Sequence, residues 1–103
     1  MAFQVLTPTA QPELGIASAL RFIGPPVPFT LHGFSGAQDG KHIFVQNSTG
    51  GDMIISIGTG AIGSRIVKFE GNSTVGALIT VPTGRDAEFI YTVTDGGGVG
   101  KIF

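Results

Sequence analysis

Glycine and proline interrupt this chain so often that no long regular element fits between them. The 103 residues include 17 glycines and six prolines, and the segments between these residues are rich in Ile, Val, Phe and Thr. Short β-branched and aromatic segments bounded by Gly and Pro are typical of strands joined by turns. The sequence therefore predicts an all-β fold. We expect a single-domain β-sandwich or a jelly-roll-like barrel of about seven short antiparallel strands.

Regular alternation of apolar and polar residues begins at Val27. The candidate strands are 27–34, 41–47, 52–58, 65–70, 75–81, 86–94 and 98–103. Successive side chains of a strand point to opposite faces, so each strand has one face that can be assigned to the core. The predicted core rows are Ile43 and Val45; Met53, Ile55 and Ile57; Val75, Ala77, Ile79 and Val81; and Ala87, Phe89, Tyr91 and Val93.

Residues 1–26 differ from the remainder of the chain. This segment holds four of the six prolines and shows no sustained period, which predicts an extended N-terminal arm before a β-sandwich domain at 27–103. A short helical turn near Glu13–Leu20 is an alternative, although Gly15 disfavours it. The arm is too apolar for a solvated linker, so its hydrophobic side chains are expected to be buried against another surface.

The predicted outer faces of the strands are also more apolar than a lone domain requires. Only 13% of the residues are charged, compared with about 25% in typical domains. We interpret the outward apolar residues, with those of the arm, as a subunit interface; a second sheet layer and scattered exposure are the alternatives. The candidate interface residues are Phe3, Val5, Leu6, Leu14, Ile16, Phe34, Phe44, Ile54, Ile66, Leu78 and Ile90.

Composition argues against several classes of protein. The formal net charge is −1 and the six basic residues are scattered, whereas binding to a phosphate backbone needs clustered Lys and Arg. The chain has no cysteine, so it has neither a disulfide framework nor a thiolate site. No signal peptide or run of 18 apolar residues is apparent. We therefore expect no nucleic-acid partner and no membrane partner.

The segment 40–56, GKHIFVQNSTGGDMIIS, contains the residue types of a hydrolase. A triad of His42, Ser48 and Asp52 would need a nucleophile, a base within hydrogen-bond reach and an orienting group. Ser48 lies in NSTGG, whose residues are favoured by turn geometry alone, and no G-x-S-x-G elbow is present. The segment is better interpreted as two strands joined by a turn.

Other possible sites have equally plain explanations. The segment 95–101, DGGGVGK, lacks the spacing of a phosphate-binding loop and is interpreted as a Gly-rich hairpin into a terminal strand. His32 and His42 have no partners at zinc-site spacing, and Asp86 with Glu88 fits a solvated strand edge better than a glycosidase pair. The sequons at 47–49 and 72–74 are interpreted as solvent-facing loops. The sequence thus predicts no enzyme, no cofactor and no metal.

The order of strand and turn signals from about residue 30 to residue 93 resembles small bacteriophage structural proteins and tail-fibre modules. The matching pieces are Asp39-Gly40-Lys41, Ile43 to Val45, Asn47 to Gly51, Ile54 to Ile57, Thr83-Gly84-Arg85 and Phe89 to Tyr91. The resemblance implies a virion component with a β-sandwich or jelly-roll-like fold. Such proteins are commonly capsid decoration (cement) proteins, often trimers, or parts of tails and fibres.

The leading hypothesis is therefore a non-enzymatic capsid decoration protein that binds and stabilises the assembled phage head as a homo-oligomer, expected to be a trimer. Its expected partner is the major capsid protein or another virion protein, and its expected location is the capsid surface after synthesis in the cytoplasm of the host bacterium. A tail, baseplate or fibre-joining module is one alternative. A small carbohydrate-binding β-sandwich, which would need exposed aromatic residues along a cleft, is the other.

Overall fold

The computed structural model describes residues 3–9, 11–12, 19–24, 27–36 and 38–103, and within these ranges all regular structure is β. The described residues contain no helix that is long and apolar enough to cross a membrane. The strands are β1 (Gln4–Leu6), β2 (Ala19–Ile23), β3 (Phe29–Leu31), β4 (His42–Ser48), β5 (Met53–Ser56), β6 (Ile66–Phe69), β7 (Leu78–Val81), β8 (Asp86–Thr92) and β9 (Gly97–Ile102).

These strands form two mixed sheets. One has six strands in the order β1-β2-β4-β8-β9-β6, and the other has three in the order β3-β5-β7. The pairs β1–β2, β2–β4, β3–β5 and β6–β9 are parallel, whereas β4–β8, β8–β9 and β5–β7 are antiparallel. The all-β prediction is confirmed, but the expectation of antiparallel strands throughout is wrong. Alternation of residue types specifies which face a strand buries and carries no information about its direction.

The strand order does not identify a jelly roll. Antiparallel neighbours in a jelly roll are joined by hairpins and Greek-key connections, while β2 enters this sheet beside β4 in the parallel sense, after which the chain crosses to β3 in the other sheet. The established architecture is a compact β-rich domain with two mixed sheets.

Inward side chains of the two sheets share one hydrophobic core. The rings of Phe22 and Phe29, which belong to different sheets, lie 5.2 Å apart. The fully or almost fully buried members of the core are Leu20, Phe22, Leu31, Phe34, Ile43, Val45, Met53, Ile55, Ile57, Ile66, Phe69, Val81, Ala87 and Phe89. Each large apolar side chain buried in this way contributes about 1.5–3 kcal/mol relative to its exposed state.

Most of the predicted core rows are confirmed, including those of β4 and β5. Val75 and Val93 are corrections, because their side chains are 74% and 63% exposed. Val75 precedes β7, which begins at Leu78, and Val93 follows β8, which ends at Thr92. Both residues lie in turns, where the two-residue period of a strand no longer applies.

Part of the range predicted as an N-terminal arm is built into the large sheet. Strand β2 pairs with β4 along its whole length, from Ala19 to Ile23. Leu20 and Phe22 are fully buried in the core, and Leu6 of β1 packs against the same core. Leu6, Leu20 and Phe22 therefore find their burial within the domain itself, whereas Val5 and Ile23 are about half exposed.

Candidate functional site

The candidate interface residues fall into five groups. Phe34 and Ile66 are corrections, since both side chains are buried in the core. Ile54 and Leu78 lie on the small sheet, Leu6 packs against the core, and Leu14 and Ile16 lie outside the described residues. The remaining members, which we place on the large sheet, are Phe3, Val5, Phe44 and Ile90.

The two corrections have local causes. Strand β3 ends at Leu31 and Gly33 forms only an isolated bridge with Arg65, so the alternation of β3 does not extend to Phe34. The Phe34 ring instead packs against Phe89 at 5.0 Å. In β6 the register shifts between Ile66 and Lys68, so Ile66 is buried although Lys68, two residues later, is exposed.

Phe3, Val5, Phe44 and Ile90 lie on the side of the large sheet that faces away from the core. We call this side the outer face. Partner residues of neighbouring strands lie on the same face of a sheet, so the register defines rows across it. These rows are Val5, Arg21, Gln46 and Asp86; Phe44, Glu88 and Lys101; and His42, Ile90 and Val99. The outer face therefore brings together residues from both ends of the chain and from its middle.

Three phenylalanines form a surface pocket on the outer face. Phe44 lies at its centre, with ring centroids 6.2 Å from Phe3 and 5.1 Å from Phe103, and both pairs meet edge to face. His42 and Glu88 complete the wall of a pocket of about 420 Å³. We call this the aromatic pocket. Phe103 is 66% exposed, so one wall presents a large apolar surface to solvent.

Polar contacts hold the rim of the aromatic pocket in place. The Arg21 guanidinium lies 4.2 Å from the centroid of the Phe3 ring, and its Nε donates a 2.5 Å hydrogen bond to Gln46 Oε1. Such a cation–π contact between partly exposed groups contributes about 0.5–1 kcal/mol. On the opposite rim, His42 Nε2 lies 3.0 Å from Glu88 Oε1. These contacts restrict the positions of the Phe3 and Glu88 side chains beside the Phe44 ring.

A second, smaller depression lies beside the aromatic pocket on the outer face. Its volume is about 210 Å³, and it is lined by Glu88, Ile90, Val99, Gly100 and Lys101. Glu88 lines both depressions. The outer face therefore offers two adjoining depressions with mainly apolar walls, and the charged side chains of Glu88 and Lys101 lie beside them.

His42, Ser48 and Asp52, the three residues considered for a catalytic triad, have different surroundings. His42 faces Glu88, Ser48 is exposed at the end of β4, and Asp52 Oδ1 accepts a 3.0 Å hydrogen bond from the Thr83 backbone N–H. No hydrogen bond among the described residues joins any two of His42, Ser48 and Asp52. The segment 40–56 contributes strands β4 and β5 and the turn between them.

The turn after β4 corrects one expectation. Asn47, predicted to lie in a solvent-facing loop, is only 3% exposed. Its Oδ1 accepts hydrogen bonds from Thr49 N and Oγ1, and its Nδ2 donates to the Gly51 carbonyl at 2.7 Å. Asn72 makes the corresponding bond to Thr74 N from an exposed position. Asn47-Ser48-Thr49 is therefore a structural turn with a buried amide.

The Gly-rich hairpin predicted for 95–101 is confirmed, since β9 begins at Gly97 and pairs antiparallel with β8. His32 Nδ1 lies 2.8 Å from Thr59 Oγ1, in a network that also includes Ser56. In the described parts of the chain, no group of three or more His, Asp or Glu side chains is arranged to hold a metal ion.

Sequence reasoning named Phe3 and Phe44 but missed Arg21 and Phe103. The signal for Phe103 was present, because Val99, Lys101 and Phe103 are spaced by two at the end of the predicted last strand. Arg21 could not be placed from the sequence, since residues 1–26 were not expected to form a strand. Comparison of the chain with protein-family models, with curated proteins and with solved structures found no match.

Proposed function

We propose that this protein is a non-enzymatic virion structural protein that decorates the phage head and stabilises the assembled shell through its outer face. The observation that carries the proposal is the aromatic pocket, with exposed Phe103 beside Phe44 and Phe3. The resemblance of residues 30–93 to small phage structural proteins supplies the biological setting.

The arrangement of the outer face fits a protein-binding surface. Interfaces concentrate aromatic residues and Arg in a central patch that is depleted of other charges, and they carry a polar rim. Here three phenylalanines occupy the centre, while Arg21 and the His42–Glu88 pair stand at the edge. Arg21 is already held by Gln46, so little side-chain freedom is lost when a partner covers it.

The stabilising action follows from mass action. A protein that binds the assembled shell, and does not bind its separated subunits, shifts the equilibrium toward the shell. Full burial of a Phe side chain contributes about 1.5–3 kcal/mol before the costs of association. Many copies on a regular lattice multiply a modest contribution from each copy. Strong binding at a single site is therefore not required.

The test is co-sedimentation of the purified protein with assembled heads of the phage that encodes it, compared with dissociated capsid subunits. We expect binding to heads alone, and we expect Phe103→Ala and Phe44→Ala to weaken it at least about tenfold. Ile62→Ala is the matched control, because Ile62 is exposed and is not among the residues that line the two depressions. Absence of the protein from purified particles would refute the proposal.

A tail or fibre-joining role would use the same surface against a different virion protein. Immunogold labelling of intact particles distinguishes the two positions, since label on the tail alone favours the joining module over decoration of the head.

One observation favours carbohydrate binding as a second candidate. That function needs aromatic side chains along a cleft, and the aromatic pocket provides Phe44 and Phe103 beside the hydrogen-bonding groups of His42 and Glu88. Sugars bind through apolar ring faces together with a few oriented polar groups. A glycan array separates the candidates: a clear glycan signal that Phe44→Ala abolishes would favour this function.

A further inference from the structure

Strand β7 forms an edge of the small sheet. It pairs with β5 and with no other strand of the described chain. At the opposite edge, the chain just after β3 is bonded to the segment before β6, since Ile66 N donates to His32 O and Phe34 N donates to Ser64 O. Within the described ranges of the chain, no segment is bonded to the edge at β7 in this way.

The register defines which backbone groups of β7 point away from the sheet. Ile57 N donates a 3.0 Å hydrogen bond to Ala77 O, so the antiparallel ladder, in which Ile55 faces Ile79, continues through Ile79 and Val81. Because hydrogen-bonded and non-hydrogen-bonded residues alternate along such a strand, Leu78 and Thr80 direct their N–H and C=O groups outward.

The residues around this edge lack the charged side chains that often prevent strand pairing, although β7 is only four residues long and is followed by Pro82. Edge strands are usually protected by charged side chains, bulges or a covering segment. No residue from 71 to 84 is charged, and Leu78 is 66% exposed. Two copies of this strand would therefore meet without charge repulsion.

The hydrogen-bonding groups admit one favourable two-fold register. A pairing centred on Ile79 places Leu78 opposite Thr80 of a second copy, and the two such pairs use every outward group of both residues. A pairing centred on Leu78 would need the Gly76 N–H, which already donates to Ile57 O at 2.8 Å. A pairing centred on Thr80 would need an N–H from Pro82, which has none.

We propose that β7 pairs antiparallel with β7 of a second copy, centred on Ile79, so that two small sheets join into one six-stranded sheet across a homodimer. Ile79 already packs against the core, and in the dimer the two Ile79 side chains lie next to each other. On the opposite face, each Leu78 covers a Thr80. This pairing leaves the outer face of the large sheet free, whatever that face binds.

The experiment compares molar masses by light scattering over a range of micromolar concentrations. We expect the wild type to have twice the chain mass of 10.6 kDa. The double variant Leu78→Lys/Thr80→Lys places like charges opposite each other in both pairs, and we expect its dissociation constant to rise roughly tenfold or more. An equal mixture with Leu78→Glu/Thr80→Glu should restore the dimer.

The matched control is Ile62→Lys/Val93→Lys, which adds the same charge at two exposed apolar positions outside β7 and should leave the dimer intact. Amide exchange of the wild type gives a reading that needs no variant: the Leu78 and Thr80 N–H groups should exchange more slowly in the dimer than after dilution. A monomeric or trimeric wild type overturns the proposal, as does a dimer that survives the Lys pair or is lost in the control.

Discussion

Gly100 lies where a side chain would occupy the space of two aromatic rings. It is the Cα partner of Phe89 on β8 and of Phe69 on β6. A Cβ atom at this position would lie 2.3 Å from Phe89 Cδ1, 2.5 Å from Phe89 Cε1 and 2.9 Å from Phe69 Cδ2. We therefore expect Gly100→Ala to destabilise the protein.

The magnitude depends on whether the rings can move away. Phe89 is fully buried between Phe34 at 5.0 Å and Phe69 at 5.5 Å, so a shift of one ring displaces the next. Additional atoms in a well-packed core cost about 1–3 kcal/mol. For a domain of this size, a loss of about 2 kcal/mol lowers Tm by roughly 8–16 °C.

The assay is thermal unfolding followed by circular dichroism, with Gly98→Ala as the matched control. Gly98 lies in the same strand, but the nearest atom to its Cβ position is 3.9 Å away. Both substitutions reduce the freedom of the unfolded chain by a similar amount, so their difference isolates the clash. We expect Gly98→Ala to be neutral or to stabilise by up to about 1 kcal/mol.

A second variant tests the cause of the destabilisation. If the rings oppose the added methyl group, Phe89→Leu should make the Gly100→Ala change less costly than it is in the wild type, giving a favourable coupling in the double-mutant cycle. Equal melting temperatures for Gly100→Ala and Gly98→Ala, to within about 2 °C, would refute the packing argument.

Three further substitutions test the polar contacts. Asn47→Ala should cost about 1–3 kcal/mol in urea unfolding, because it leaves buried partners in the turn without their bonds; Asn72→Ala, at an exposed turn, should cost less, and the reverse order would contradict this account. Tyr91→Phe removes the hydroxyl that donates to the Gly63 carbonyl, for an expected loss of about 0.5–1.5 kcal/mol in the same measurement. Glu88→Gln should change the unfolding free energy by less than about 1 kcal/mol, because its contact with His42 is partly exposed; a larger loss would show that this contact stabilises the fold.

The sequence allowed the fold class and most of the core to be predicted from alternation. Ile43 and Val45 point inward because β4 is a regular strand whose alternate residues are apolar. The same rule failed for Phe34, which lies beyond the end of β3 at Leu31. Alternation is reliable inside a regular strand, but it fails beyond the ends of a strand and at an irregularity such as the register shift between Ile66 and Lys68 in β6.

A local sequence pattern could not predict the direction of each strand or its neighbours in the sheet. Strand β2 lies between Pro12 and Pro28, in a segment whose composition favoured an extended arm. Its place beside β4 depends on Leu20 and Phe22 entering a core that other strands build. Pairing between distant segments is determined by the packing of the whole domain, so short-range periodicity could not predict it.

In the candidate site, too, the direction of a single side chain could be predicted from its own strand, but the assembly of the pocket could not. Phe44 was predicted to point outward because it lies between two inward residues of β4, and that expectation depended only on the strand's own period. The aromatic pocket needs Phe3 and Phe103 as well, and these reach Phe44 from opposite ends of the chain. Strand β1 reaches β4 through β2, and β9 reaches it through β8. A substitution that disrupts β2, such as one at Phe22, should therefore disturb the aromatic pocket, although Phe22 lies on the other face of the sheet. A substitution at Phe103 should instead weaken the proposed binding to the shell without affecting the core.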